Sequence, residues 1–222
     1  MIFPPLMSFF MLVLLGLALI LLPFLLVGAI GSAFAKLGLS PGAVFVLLIA
    51  TLAGSLVNIP LTTLKSMEVE GDRVIRYYGL RVRIPQAQRR HTVLAVNLGG
   101  AVIPTLLSLY LLGRMEFCLG TLVLLGLVTL VMFFLARPVR GLGIAVPGLA
   151  PPVLAVLGAF LLCPVELRAP SAYVASTMGT LIGADLLKLR EITRLGAPVA
   201  SIGGAGTFDA VFLSGIIAVL LS

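Results

Sequence analysis

Two aspartates lie in stretches where a carboxylate has little else polar to touch. Asp185 sits in STMGTLIGADLLKL, and Asp209 is the only charge in ASIGGAGTFDAVFLSGIIAVLLS. An acidic side chain in so apolar a setting is costly and normally faces a cavity or a partner. Asp185 has Lys188 three residues on, so an ordinary helix-surface ion pair is one reading of it. Asp209 has no such neighbour, because the positions three and four residues away are Ala205, Gly206, Phe212 and Leu213. Two carboxylates brought into one dry site do not both ionise easily, so they share a proton and leave one acid and one base near neutral pH. Such a pair can activate a water and protonate a leaving amine, which is peptide hydrolysis by paired aspartates. Gly203, Gly204 and Gly206 fit this chemistry, since they let the chain unwind ahead of Asp209 and let a substrate backbone approach. Close helix packing through small residues accounts for the same glycines.

The elements that must position these residues follow from composition. Apolar residues make up 60% of the 222-residue chain, charged residues 10%, and the mean hydropathy is +1.23. A soluble domain carries about a quarter charged residues, so the expected class is all-α: a polytopic transmembrane helical bundle forming one domain over 1–222. At ~20 residues per span the chain has room for about seven. The hydrophobic runs place them at roughly 6–30, 41–64, 92–113, 117–136, 143–163, 171–189 and 199–221. Pro23, Pro60, Pro104, Pro147, Pro151 and Pro152 then fall inside or beside spans and read as kinks, which neighbouring helices satisfy. The polar segment 66–90 is different. There EVEGDRVIRYYGLRVRIP alternates branched and charged residues around Gly71 and Gly79, a period-two pattern that predicts a short β-hairpin on the cytoplasmic membrane surface between spans two and three.

The net charge of +7 reads as topology rather than as a nucleic-acid footprint. Lys65, the hairpin arginines, Arg89, Arg90, Arg137, Arg140, Lys188, Arg190 and Arg194 gather on one side, and only Lys36, Arg114 and Arg168 on the other. The positive-inside bias puts the N-terminus in the cytoplasm and the C-terminus outside a cell membrane. The first apolar run is too long for a signal-peptide core and lacks a basic leader, so it reads as a mature helix. Cys118 and Cys163 are the only cysteines, both expected at the outer face, and no Cys/His spacing suggests a metal. No metal or organic cofactor is implied. Asn58, before Pro60, and Asn97, before Gly99-Gly100 and Pro104, form a second polar constellation. Interhelical amide bonding explains them, and lining the same cavity as the aspartates is the functional alternative.

Gly206-Thr207-Phe208-Asp209, following an aspartate-bearing span and a short loop, resembles the GxGD intramembrane proteases of the presenilin and signal peptide peptidase group, with Phe208 where that motif has Gly. The resemblance implies catalytic aspartates at Asp185 and Asp209, near the cytoplasmic side of spans six and seven. Pro147-Gly148-Leu149 is the nearest counterpart of that group's Pro-Ala-Leu motif, though it precedes both aspartates. Across most of the chain, GSLVNIPL, AVNLGGAVIPTLLSLYLL, ARPVRGLGIAVPGLAPP, GADLLKL and SIGGAGTFDAVFLSGIIAVLL resemble an uncharacterised prokaryotic membrane family. The sequence thus points to an intramembrane aspartyl protease in the lipid bilayer, acting on a transmembrane peptide substrate and not on nucleic acid. The 203–206 stretch or the hairpin would hold that substrate by β-augmentation. The alternative is a proton- or ion-coupled transporter that uses the same aspartates as a relay.

Overall fold

The computed structural model describes residues 16, 27–65, 73–77, 80–84, 91–139, 143–192, 199–204 and 210–222. Within them the chain forms α1 (Val27–Lys36), α2 (Pro41–Ser55), β1 (Asn58–Lys65), β2 (Arg73–Tyr77), β3 (Leu80–Ile84) and β4 (His91–Asn97). A π-helical turn (Leu98–Val102) leads into α3 (Ile103–Arg114), followed by α4 (Leu119–Leu135), β5 (Arg137–Val139), β6 (Gly143–Ala145) and α5 (Ala150–Leu162). A single 3-10 turn leads into α6 (Arg168–Thr180), which runs into a second π-helical segment (Leu181–Leu186). The short α7 (Leu189–Ile192), β7 (Val199–Ile202) and α8 (Ala210–Leu221) complete the order.

This architecture corrects the all-α, seven-span expectation. No single described helix is both long and apolar enough to cross a membrane, and a three-stranded sheet of order β1-β4-β7 is present. Strand β1 pairs antiparallel with β4, and β4 pairs parallel with β7. The run 41–64 breaks at Ser55 into a helix and a strand, and the run 92–113 divides into β4, the π turn and α3. The runs 143–163 and 199–221 likewise open as strands before they become helices. An apolar run without a polar face carries no period that separates strand from helix, which is why PLTTL (60–64) and TVLAV (92–96) read as continuous with their neighbouring helices. The helices α1 and α2 pass the length and hydropathy test only as a pair, and they bend by 115° between them. The alternation read in 66–90 does form strands: β2 and β3 make a separate antiparallel ribbon.

The prolines act as starts rather than kinks. Pro41, Pro104 and the Pro151–Pro152 pair stand in the first turns of α2, α3 and α5, where the missing N–H has no partner to lose. Ser40 caps α2, its side chain accepting from Ala43 N at 3.3 Å. Pro60 lies in β1, at the edge of its sheet and beside a shift in register, a place that proline tolerates. Pro23 and its surroundings in the 6–30 run lie outside the described residues.

Helix α6 forms the axis of the helical layer. Every residue from Pro170 to Thr177 is buried, and α3, α4, α5 and α8 pack around it. One core joins Phe34, Leu107, Leu111, Tyr173 and Val219, and another joins Leu124, Val128, Met132, Ala155 and Ala175. Two lysines secure helix ends: Lys36 Nζ donates to Val219 O at 3.3 Å near the end of α8, and Lys188 Nζ donates to Ala136 O at 2.5 Å just past α4. A cation at a helix C-terminus meets the negative end of its dipole. The outward faces are strongly apolar, with Phe45, Ile49, Leu130, Phe134, Leu157 and Leu161 all exposed.

Backbone contact between α4 and the π segment depends on Gly183. A Cβ there would run into Thr129 O and lie 3.1 Å from Met132 Cβ and Phe133 N. Gly126, also in α4, has open space around it. Gly183→Ala should therefore lower stability by about 1–3 kcal/mol, whereas Gly126→Ala should raise it by about 0.5–1 kcal/mol through helix propensity. Parallel thermal unfolding of the two variants and the parent checks this; an undisturbed Gly183→Ala protein would mean that α4 and the π segment do not touch through backbone.

Candidate functional site

The sheet brings together polar groups that lie far apart in sequence. Register pairs Asn58 of β1 with Asn97 of β4, and Val96 of β4 with Ile202 of β7. The start of β1 and the ends of β4 and β7 thus meet at one edge. There Asn97 Nδ2 donates to Ser55 O at 2.7 Å and to Asn58 Oδ1 at 3.1 Å, while Asn97 Oδ1 accepts from Gly100 N at 2.7 Å. Asn97 is buried, and both its amide hydrogens and its carbonyl are used, as a buried amide requires. Asn58 Oδ1 also accepts from Ser201 Oγ at 2.6 Å. The exposed Asn58 and the buried Asn97 therefore stitch α2, β1, β4 and β7 together, which is the amide-bonding role.

Asp185 reaches the same edge from the π segment after α6. Its Oδ2 accepts the backbone N–H of Gly203 at 2.7 Å. Asp185 is partly buried. Gly203 and Gly204 form the turn that leaves β7, with φ of +84° and +91°, values that glycine adopts without penalty. Gly203 also lies against the first π turn: a Cβ on it would come within 2.7 Å of Ala101 N and of Gly100 C. One short stretch of backbone is thus held by the Asp185 carboxylate and packed against Gly100–Ala101. Lys188 does not pair with Asp185. It donates to Ala136 O and lies over the Phe133 ring, 5.2 Å from the centroid.

Of the residues expected at the site, the structure gathers Asp185, Gly203, Gly204, Asn58 and Asn97 around the end of the sheet. Asp209 and Gly206 lie outside the described residues. In α8, Val211 shares a buried cluster with Leu181, Ala101 and Ile202. Leu181 stands four residues before Asp185 and Val211 two after Asp209. Pro147 sits in the connection from β6 to α5, where its carbonyl accepts from Ala150 N at 3.1 Å, and no described hydrogen bond joins it to the cluster. Ser201 was not anticipated. Its only sequence signal is its place in VASI, a short branched stretch just before the glycines.

A second polar feature runs through the helices. Thr121 and Ser171 hydroxyls lie 2.8 Å apart, Ser108 and Thr177 3.1 Å apart, and Thr180 Oγ1 donates to Ser176 O at 2.6 Å. The buried Tyr173 hydroxyl and Ser176 Oγ have no hydrogen-bond partner among the described residues. Both cysteines are free, Cys118 partly exposed and Cys163 buried. The backbone N–H of Thr121 holds the Cys118 thiol below the usual thiol range. Among the described residues no three His, Cys, Asp or Glu side chains cluster as a metal site would need.

A family model described as "Protein of unknown function (DUF1614)" matches residues 52–221, so the chain belongs to that family. Nothing among the curated proteins or the solved structures compared with it matches.

The Asp185–Gly203 bond separates acceptor geometry from charge. Asp185→Asn keeps an oxygen that can accept from Gly203 N, so stability should change little. Asp185→Ala leaves a shielded N–H without its acceptor and should lower stability by about 1–3 kcal/mol. Denaturation midpoints of the two variants test this, and equal loss in both would show that the turn does not depend on that acceptor.

Proposed function

We propose that the chain is a membrane-associated aspartyl protease of presenilin-like type, with Asp185 and Asp209 as its working pair. The observation that carries this reading is the hydrogen bond from Gly203 N to Asp185, because it anchors the first aspartate to the strand-turn that leads, six residues on, to the second. Six residues reach at most about 20 Å. That Leu181 and Val211 share a buried cluster supports the pairing. The exposed apolar faces of α2, α4 and α5 support contact with lipid, since water-facing monomers rarely expose contiguous apolar patches of that extent.

In this reading the two carboxylates share one proton. The ionised one removes a proton from water as the oxygen attacks the peptide carbonyl carbon. The protonated one then donates to the amide nitrogen as the C–N bond breaks. Strand β7 is the natural partner for the substrate. Among the described residues it pairs on one side only, with β4, and it ends at the Gly203 turn. An extended peptide added to its open edge would lie beside the aspartates.

The hydroxyl pairs buried along α6 favour a second reading, a proton-coupled carrier, because polar groups buried in an apolar helical layer are where proton and ion paths are built. Two measurements divide the readings. With Cys118 and Cys163 replaced, cysteines at 185 and 209 should cross-link through short thiol reagents, since a disulfide needs Cα atoms roughly 4.4–6.8 Å apart. Failure of every short reagent in a folded protein removes the paired-aspartate mechanism. For activity, Asp185→Asn and Asp209→Asn should each lower cleavage of an apolar-segment reporter by at least about a hundredfold. Proton flux in proteoliposomes that Asp209→Asn abolishes, without cleavage by the parent, would instead establish the carrier.

A further inference from the structure

Among the described residues, β2 and β3 form a two-stranded ribbon of their own, separate from the three-stranded sheet. Its register pairs Arg73 with Ile84, Val74 with Arg83, Ile75 with Val82, Arg76 with Arg81 and Tyr77 with Leu80. Successive strand residues alternate between faces. The register therefore places Arg76, Arg81 and Arg83, with Val74, on one face. It places Ile75, Tyr77, Leu80, Val82 and Ile84, with Arg73, on the other. The sequence alone shows alternation within each strand. Only the register shows that the two strands' arginines fall together.

That arrangement opposes the stability of a two-stranded ribbon. Arg76 and Arg81 are directly opposed, at the roughly 4.5–5.5 Å Cα spacing of cross-strand partners, and like charges so placed destabilise a sheet. A two-stranded ribbon is at best marginal in water. Both difficulties disappear at a surface that offers phosphates to the arginine face and acyl chains to the apolar one. Guanidinium groups bind phosphate oxygens in a forked geometry, and a tyrosine on the apolar face suits the headgroup boundary. Nucleic acid or an acidic protein segment would satisfy the charged face alone.

We propose that the β2–β3 ribbon is a docking surface for anionic phospholipid, with Arg76, Arg81 and Arg83 holding the headgroup phosphates. The inference rests on the membrane reading above but not on the aspartate chemistry. Each basic residue near an anionic bilayer contributes about 1 kcal/mol, so removing three lowers affinity by about a hundredfold.

The test uses the full chain in nanodiscs of phosphatidylcholine, with and without phosphatidylglycerol, and follows amide hydrogen exchange. Phosphatidylglycerol should slow exchange across 73–84 severalfold. Combined R76Q, R81Q and R83Q substitution should abolish that difference, while R73Q, on the other face, preserves most of it. Exchange in α4 and α6 reports whether each variant remains folded. Equal exchange in both lipids, or a triple variant that keeps the difference, overturns the proposal. So does protection by an added acidic peptide in phosphatidylcholine without any response to phosphatidylglycerol. A chain that stays in the aqueous phase without detergent would refute the membrane reading. Flotation of that soluble protein with phosphatidylglycerol vesicles, but not with phosphatidylcholine vesicles, would still support the ribbon's role, and its failure to float would overturn it.

Discussion

The hydrogen bond from Gly203 N to Asp185 Oδ2, 2.7 Å long, joins the two halves of the architecture. Asp185 belongs to the helical layer through the π segment that extends α6. Gly203 belongs to the sheet through β7. A carboxylate acceptor makes a stronger bond to a backbone N–H than a neutral oxygen does, and it closes a turn whose backbone has no room for a side chain. Ala101 and Gly100 press against Gly203 from the other side, so the first π turn, the β7 turn and the second π segment converge on one residue. Shifting any of the three would expose or orphan polar backbone that the present arrangement satisfies.

Asn97 performs a comparable task one strand away. Between β4 and α3 the backbone changes from a ladder to a helix, and its N–H and C=O groups need new partners. The Asn97 side chain supplies them by accepting from Gly100 N and donating to Ser55 O and Asn58 Oδ1. The π turn it caps lies directly on α2, where a Cβ at Gly99 would meet Thr51 O and Ser55 N. Irregular backbone survives in apolar surroundings only where protein satisfies it. Asparagine beside paired glycines is one way to meet that demand, with the amide supplying bonds and the glycines supplying proximity.

The buried polar groups of the helical layer follow the same logic with less completeness. Lys188 is held by the carbonyl beyond α4 and by the Phe133 ring, while Asp185 accepts from the turn. Along α6 most hydroxyls find backbone or hydroxyl partners, whereas Tyr173 and Ser176 find none among the described residues.

By itself the sequence determined the apolar character of the chain, the isolation of Asp185 and Asp209 among apolar residues, the strand ribbon in 66–90 and the glycines at the β7 turn. Each depends on composition or on neighbours within a few positions, which is information a sequence carries directly. The tertiary structure decided the rest. Stretches 58–64, 92–97 and 199–202 read as helix because strand and helix look alike when an apolar run has no polar face. Their pairing links β4 to β7 across the intervening α3 to α7, a separation no local period records. The choice of partner for Asp185 was equally non-local. Lys188 was the nearest opposite charge in sequence, but the carbonyl of Ala136 claimed it, and the carboxylate turned instead to a backbone N–H eighteen residues away.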